Sequence, residues 1–224
     1  ALSTSFACFK FMALYSMIQF TTLNLMYVFR AKLSDGQFIY IDLALIIPFG
    51  VLLSRFGPAA RIHPDQPTAR LISLPVLASI IGQVTWQAVV QGAVVVYVLA
   101  WHQPEEAILG DVGVGNNALF LVSAFLYSNV ALLYSFGYPH RERFYAPFSA
   151  FLLATFAAAV FLSVKRVVWL DDLLSLKSMG SGASLVILAL AAVHLAASIV
   201  YDLLVVPAVA ALWKNRRVAV RVPV

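Results

Sequence analysis

Residues 184–213 read SLVILALAAVHLAASIVYDLLVVPAVAALW. Asp202 is the one side chain in that run that is formally charged at neutral pH. A helix needs about 20 apolar residues to cross the hydrocarbon of a bilayer, so this run spans with residues to spare. Five more charge-poor stretches repeat the pattern, at roughly residues 7–29, 36–54, 73–100, 115–136 and 144–164. The second is the marginal one, because it carries Asp42, Pro48 and Gly50. Across all 224 residues the chain is 62% hydrophobic and only 11% charged, against about 25% charged in soluble domains. That leaves too little polar surface to cover a water-facing globule. The strict alternation of a membrane barrel is missing. The expected fold is therefore all-α, a bundle of six transmembrane helices whose backbones satisfy themselves internally.

Lys and Arg placement sets the expected orientation. The loops after the second and fourth spans, with the tail, hold Arg55, Arg61, Arg70, Arg141, Arg143, Lys214, Arg216, Arg217 and Arg221. The opposite loops hold Arg30, Lys32, Lys165, Arg166 and Lys177, while Glu105, Glu106 and Asp111 make the loop after the third span acidic. The side with nine basic residues is expected to be cytosolic, which puts both chain ends there. The one cysteine, Cys8, excludes an internal disulfide framework, and four scattered histidines spell no metal cluster. No basic leader or cleavage site precedes the first span. The chain opens Ala1-Leu2-Ser3 without Met, and the expectation is a fragment of a longer protein. No phosphate loop or serine-hydrolase elbow occurs. GDVGVGNN (residues 110–117) is Gly-rich but follows no strand, so it is expected to be a plain loop.

The informative residues are the polar ones inside the spans. An Asp at the centre of a membrane helix costs about 2.5–3.5 kcal/mol on insertion scales, so it calls for a cation, a proton or hydrogen-bond donors. Asp42 lies among Phe38, Ile39, Tyr40, Ile41, Leu43 and Leu45. Pro48 and Gly50 behind it predict a broken helix with freed carbonyls, a device that transporters use for ion sites. Tyr15 and Gln19 are four residues apart and share a helix face. They offer oxygen atoms and a π-face to a cation. With a rise of about 1.5 Å per residue, Gln19 lies about 15 Å from the non-cytosolic end of its span and Asp42 about 9 Å from that of the second. The three form a ladder leading inward from that side. Lys10 is expected to snorkel as an interfacial anchor. Gln83, Gln87 and Gln91 form a stripe at a spacing of four, which reads as hydrogen-bonding glue between helices. Asp202 reads as structural or interfacial and His194 as a satisfied interior histidine.

The segments STSFACFKFMALYSMIQFTTLNLMY (3–27), SDGQFIYIDL (34–43), LLSRFGPAARIHP (52–64) and LISLPVLASI (71–80) resemble the C-terminal membrane half of class 5B P-type ATPases. These are the polyamine-transporting pumps of lysosomes and vacuoles. FKFMALYSMIQF is close to the family's FKYMALYS..QF and is followed by D-x-Q-F-x-x-I-D-L. The likeness is strongest over residues 1–82 and then fades to hydropathy and spacing. It implies that residues 1–224 are a C-terminal transmembrane transport domain, equivalent to helices five to ten of a ten-helix core. The phosphorylation and nucleotide-binding machinery, with its DKTGT motif, would lie in a missing N-terminal half. By motif match, Tyr15, Gln19 and Asp42 correspond to substrate-site residues, and Asp35 and Gln37 to positions near the lumenal entry. Phe11 stands where the family usually has Tyr, and Gly36 where it usually has Leu.

The resemblance implies transport of polyamine or similar organic cations from lumen to cytosol, in an endolysosomal or vacuolar membrane. The partners it implies are the lipid bilayer, spermine or spermidine as substrate, and the N-terminal half of the same pump; nucleic acid is not among them. ATP and Mg²⁺ are implied for the parent protein, while this segment carries no catalytic, cofactor or metal residues of its own. A flexible polyamine suits one carboxylate, a phenol and an amide in a row better than Ca²⁺ does, which takes about six to eight oxygen ligands. Two other readings stand beside this one: a P-type pump for inorganic cations, and a self-contained six-helix channel or membrane scaffold.

Overall fold

A computed structural model of the chain describes residues 2–59, 73–101, 113–136, 140–142, 145–164, 167–176 and 179–220, the last seven of these by backbone alone. Arg61, Arg70, Arg143, Lys165, Arg166, Lys177 and Arg221, which enter the charge count, lie outside the described residues, as do Glu105, Glu106 and Asp111.

Among the described residues, six helices are long and apolar enough to cross a membrane: Leu2–Phe29, Asp35–Ser54, Leu74–Trp101, Val114–Ser135, Ala146–Val164 and Ser181–Trp213. In order, the elements are α1 (Leu2–Met26) with a 3₁₀ turn Tyr27–Phe29, α2 (Asp35–Ile39), a π-helical segment Tyr40–Ile46, and α3 (Ile47–Ser54). Then come α4 (Leu74–Trp101), α5 (Val114–Ser135), α6 (Ala146–Val164), the short α7 (Val168–Leu173) and α8 (Ser181–Val220). No strand occurs among the described residues.

The helix α5 is the axis of the bundle. Nearly every residue from Val114 to Ser135 is buried, and α1, α4, α6 and α8 all pack on it. The other spans each present one side outward. On the second span, Ile39, Leu43, Ile47 and Val51 recur every four residues and are all exposed, an apolar stripe suited to lipid. The α1/α5 seam is closed by a 2.7 Å hydrogen bond between the hydroxyls of Thr22 and Ser123.

The two ends of the bundle are pinned differently. At the end where α1 begins, the segments after α3 and α5 are tied by paired backbone bonds, Ala59 N to His140 O and Glu142 N to Gly57 O. The Glu142 carboxylate also accepts from the Gly57 N–H at 2.6 Å. Arg141 is buried beneath this clasp and donates to the carbonyl oxygens of Tyr134 and Ser135. Loss of hydration there draws its pKa below the ordinary guanidinium value.

At the opposite end, GDVGVGNN is not simply a loop. Gly113 caps α5, and Asn116 and Asn117 lie buried in its first turn. The Asn116 amide donates to the Lys32 carbonyl and accepts from Gln37. An isolated Gly-rich run gives no sign of this, because the partners are about 80 residues away. Residues 110–112 lie outside the described set.

Candidate functional site

The second span crosses without a break. Where Pro48 and Gly50 predict an interrupted helix, the backbone instead widens into a seven-residue π segment, Tyr40–Ile46, with the Ile47 N–H bonded to the Asp42 carbonyl. Pro48 explains this. It has no N–H, and its ring crowds the carbonyl four residues before it, Ala44. A wider turn relieves that crowding and keeps the remaining carbonyls bonded. Such π turns recur at functional positions because they rotate side chains out of the regular helical register.

Asp42 sits on that turn, half-buried. The Tyr15 hydroxyl of α1 donates to its Oδ1 at 3.1 Å, a charge-assisted hydrogen bond. Gln19 lies half-buried one turn further along α1. Behind them stands Tyr127 of α5, whose ring lies 6.0 Å from that of Tyr15 in a tilted arrangement. Tyr127 is fully buried and its hydroxyl has no hydrogen-bond partner among the described residues. One carboxylate, one phenol engaged with it and one further phenol thus come together where α1, the second span and α5 meet. A cation reaching Asp42 meets an anion and the ring of Tyr15.

Tyr127 was invisible to sequence reasoning. It lies in a span buried on all sides, so no periodicity marks the face it presents. Its only sequence signal is the register Ser123, Tyr127 and Tyr134, three polar groups on one side of an apolar helix.

The two residues expected near the mouth have different environments. Asp35 is exposed at the first turn of α2, where the helix dipole favours a carboxylate. Gln37 is fully buried. Its side chain completes a capping box with Ser34, accepting from the Ser34 N–H at 3.1 Å, and donates to Asn116 at 2.8 Å. Its amide therefore locks the start of the second span to α5. Gly36 between them faces α7, where any Cβ would overlap the Leu173 carbonyl. The missing side chain is what lets α7 close against the second span.

The glutamine stripe of α4 is buried and does join helices. Gln83 donates to the Ser198 carbonyl and Gln91 to the Ile18 carbonyl. Gln87 has no hydrogen-bond partner for either amide atom among the described residues. His194 is fully buried between Asn129 and Ser198, within 3.3 and 3.4 Å of their side chains.

A bundle of six apolar helices with its polar groups turned inward is that of an α-helical integral membrane protein. Comparison with known proteins narrows this: the chain is a homologue of the P-type cation-transporting ATPases, class 5B among them. The vacuolar cation-transporting ATPase YPK9 of Saccharomyces cerevisiae is 38% identical over 149 residues, 63% of this chain and 10% of that protein. The probable cation-transporting ATPase catp-6 of Caenorhabditis elegans is 35% identical over 188 residues, 81% of this chain and 15% of that protein. Human polyamine-transporting ATPase 13A2 is 34% identical over 151 residues, 65% of this chain and 13% of that protein. The chain thus spans between 10% and 15% of the length of these curated relatives. No protein-family model matches it.

Proposed function

We propose that this chain is the transmembrane transport segment of an ATP-driven P-type pump that moves polyamines or similar organic cations from lumen to cytosol. The observation that carries the reading is the Tyr15 hydroxyl on the Asp42 carboxylate at 3.1 Å, on a π turn inside an apolar span. An arriving ammonium group takes the place of the phenol proton as the donor to Asp42. Tyr15 then offers its ring face, and Gln19 an amide oxygen. One carboxylate with neutral acceptors along a row suits a chain of spaced ammonium groups. Asp35 draws such a chain toward the mouth by its exposed negative charge.

The homology supports the pump class, and the name of the 13A2 relatives supports a polyamine as cargo. A lysosomal or vacuolar membrane, with both chain ends cytosolic, belongs to the same proposal and agrees with the positive-inside bias. ATP and Mg²⁺ would be held by the N-terminal half of the parent protein. No residue of this chain is assigned to them. The test is ATP hydrolysis by the full-length protein with spermine, spermidine or inorganic cations added in turn. Polyamine stimulation that Asp42→Asn weakens supports the reading. Stimulation by a metal ion with no polyamine response replaces it with an inorganic-cation pump.

A further inference from the structure

A second polar cluster lies away from Asp42, where α1, α4, α5 and α8 meet. Lys10 does not snorkel outward. Its ammonium donates to the Ser79 hydroxyl at 3.2 Å and lies 5.3 Å from the centre of the Tyr134 ring. The Ser79 hydroxyl donates in turn to Asp202 Oδ1 at 3.2 Å, and Gln83 donates to the same oxygen at 3.4 Å. The Tyr134 hydroxyl is 3.4 Å from Ser79 Oγ.

Proton counting orders this cluster. A serine hydroxyl has one proton and two lone pairs. The proton goes to Asp202, so Lys10 and Tyr134 both donate into the lone pairs. Every capacity of Ser79 is used, and its dipole runs from the cation to the anion. Lys10 and Asp202 are therefore a charge pair held one hydroxyl apart, and the cluster as a whole carries no net charge. Removing one partner leaves the other buried and uncompensated, which is far more damaging than removing both.

We propose that Lys10 is a resident ammonium ion for Asp202, and that Ser79, Tyr134 and Asp202 form a second cation site shaped for a primary ammonium group. A carboxylate and a hydroxyl acceptor beside an aromatic face favour a cation with N–H donors over a quaternary amine, which has none to give the two oxygens. A cavity of about 500 Å³ lined by Leu133, Phe136, Ile199, Asp202 and Leu203 adjoins the carboxylate. It is large enough to hold a small alkylammonium ion beside Asp202. The proposal is independent of the Tyr15–Asp42 reading, because its readout is stability rather than transport.

The test uses the full-length protein carrying this chain, purified in detergent. Lys10→Met keeps the apolar stem and removes the charge, and it is expected to lower the unfolding temperature measurably, because Asp202 is left buried and uncompensated. Ethylammonium chloride should restore most of that loss, while tetramethylammonium chloride at equal ionic strength should not. Wild type and the double variant Lys10→Met/Asp202→Asn should ignore both salts. If Lys10→Met gives no folded protein, the double variant is expected to recover it, because both charges leave together. The proposal is overturned if ethylammonium fails to rescue folded Lys10→Met, if wild type or the double variant responds equally, or if single and double variants fail to fold alike.

Discussion

Replacing Asp42 with Asn separates charge from shape. Asparagine has nearly the same volume, and its carbonyl oxygen can still accept from the Tyr15 hydroxyl that now lies 3.1 Å from Asp42 Oδ1. What disappears is the negative charge on a turn exposed to an apolar environment. A hydrogen bond to a charged group is worth about 1.5–3 kcal/mol. At about 1.4 kcal/mol per tenfold, losing an ammonium–carboxylate contact should raise the half-stimulating polyamine concentration roughly ten- to hundredfold. Stability should move the other way or stay put, since an intramembrane carboxylate costs about 2.5–3.5 kcal/mol to insert and the amide less. The assay is polyamine-stimulated ATP hydrolysis by the full-length protein, run beside thermal unfolding in detergent. Unchanged polyamine affinity together with a lower unfolding temperature would refute the reasoning, because it would make Asp42 a structural hydrogen-bond acceptor.

Three further outcomes are expected. Tyr127→Phe removes a buried hydroxyl that has no partner among the described residues, so thermal unfolding should show a gain of about 1 kcal/mol rather than a loss. Gln37→Leu removes the reciprocal cap on Ser34 and strands the buried Asn116; chemical or thermal denaturation should show a loss of about 1–3 kcal/mol. Gly82→Ala places a methyl group into the ring of Tyr201, whose hydroxyl donates to Ala78 O at 2.9 Å. The overpacking should cost about 1–3 kcal/mol in the same assays.

Much of this molecule can be read along the chain. Hydropathy summed over each stretch marks the six spans, because each must cross hydrocarbon by itself whatever its neighbours do. Asp42 stands out for a related reason: a charge in such a run is costly wherever the run ends up. The spacing of Tyr15 and Gln19 puts them on one face, since 3.6 residues per turn is a property of the isolated helix.

Tertiary structure decided what depends on rotation and neighbours. Lipid tails and a protein interior are equally apolar, so nothing in Val114–Ser135 announces that it is the buried axis while its neighbours face outward. Lys10 has the length to reach either the interface or the interior. Its inward turn toward Ser79 and Tyr134 is set by the packing of α1 on α4 and α5. The π turn under Asp42 is likewise a backbone choice among several that Pro48 permits. The sequence by itself determined that this chain lives in a membrane and where it is charged there. Only the packing of helix against helix decided that Asp42 meets a phenol and Asp202 a hydroxyl with a lysine beyond it, because those contacts join residues 27 and 123 positions apart.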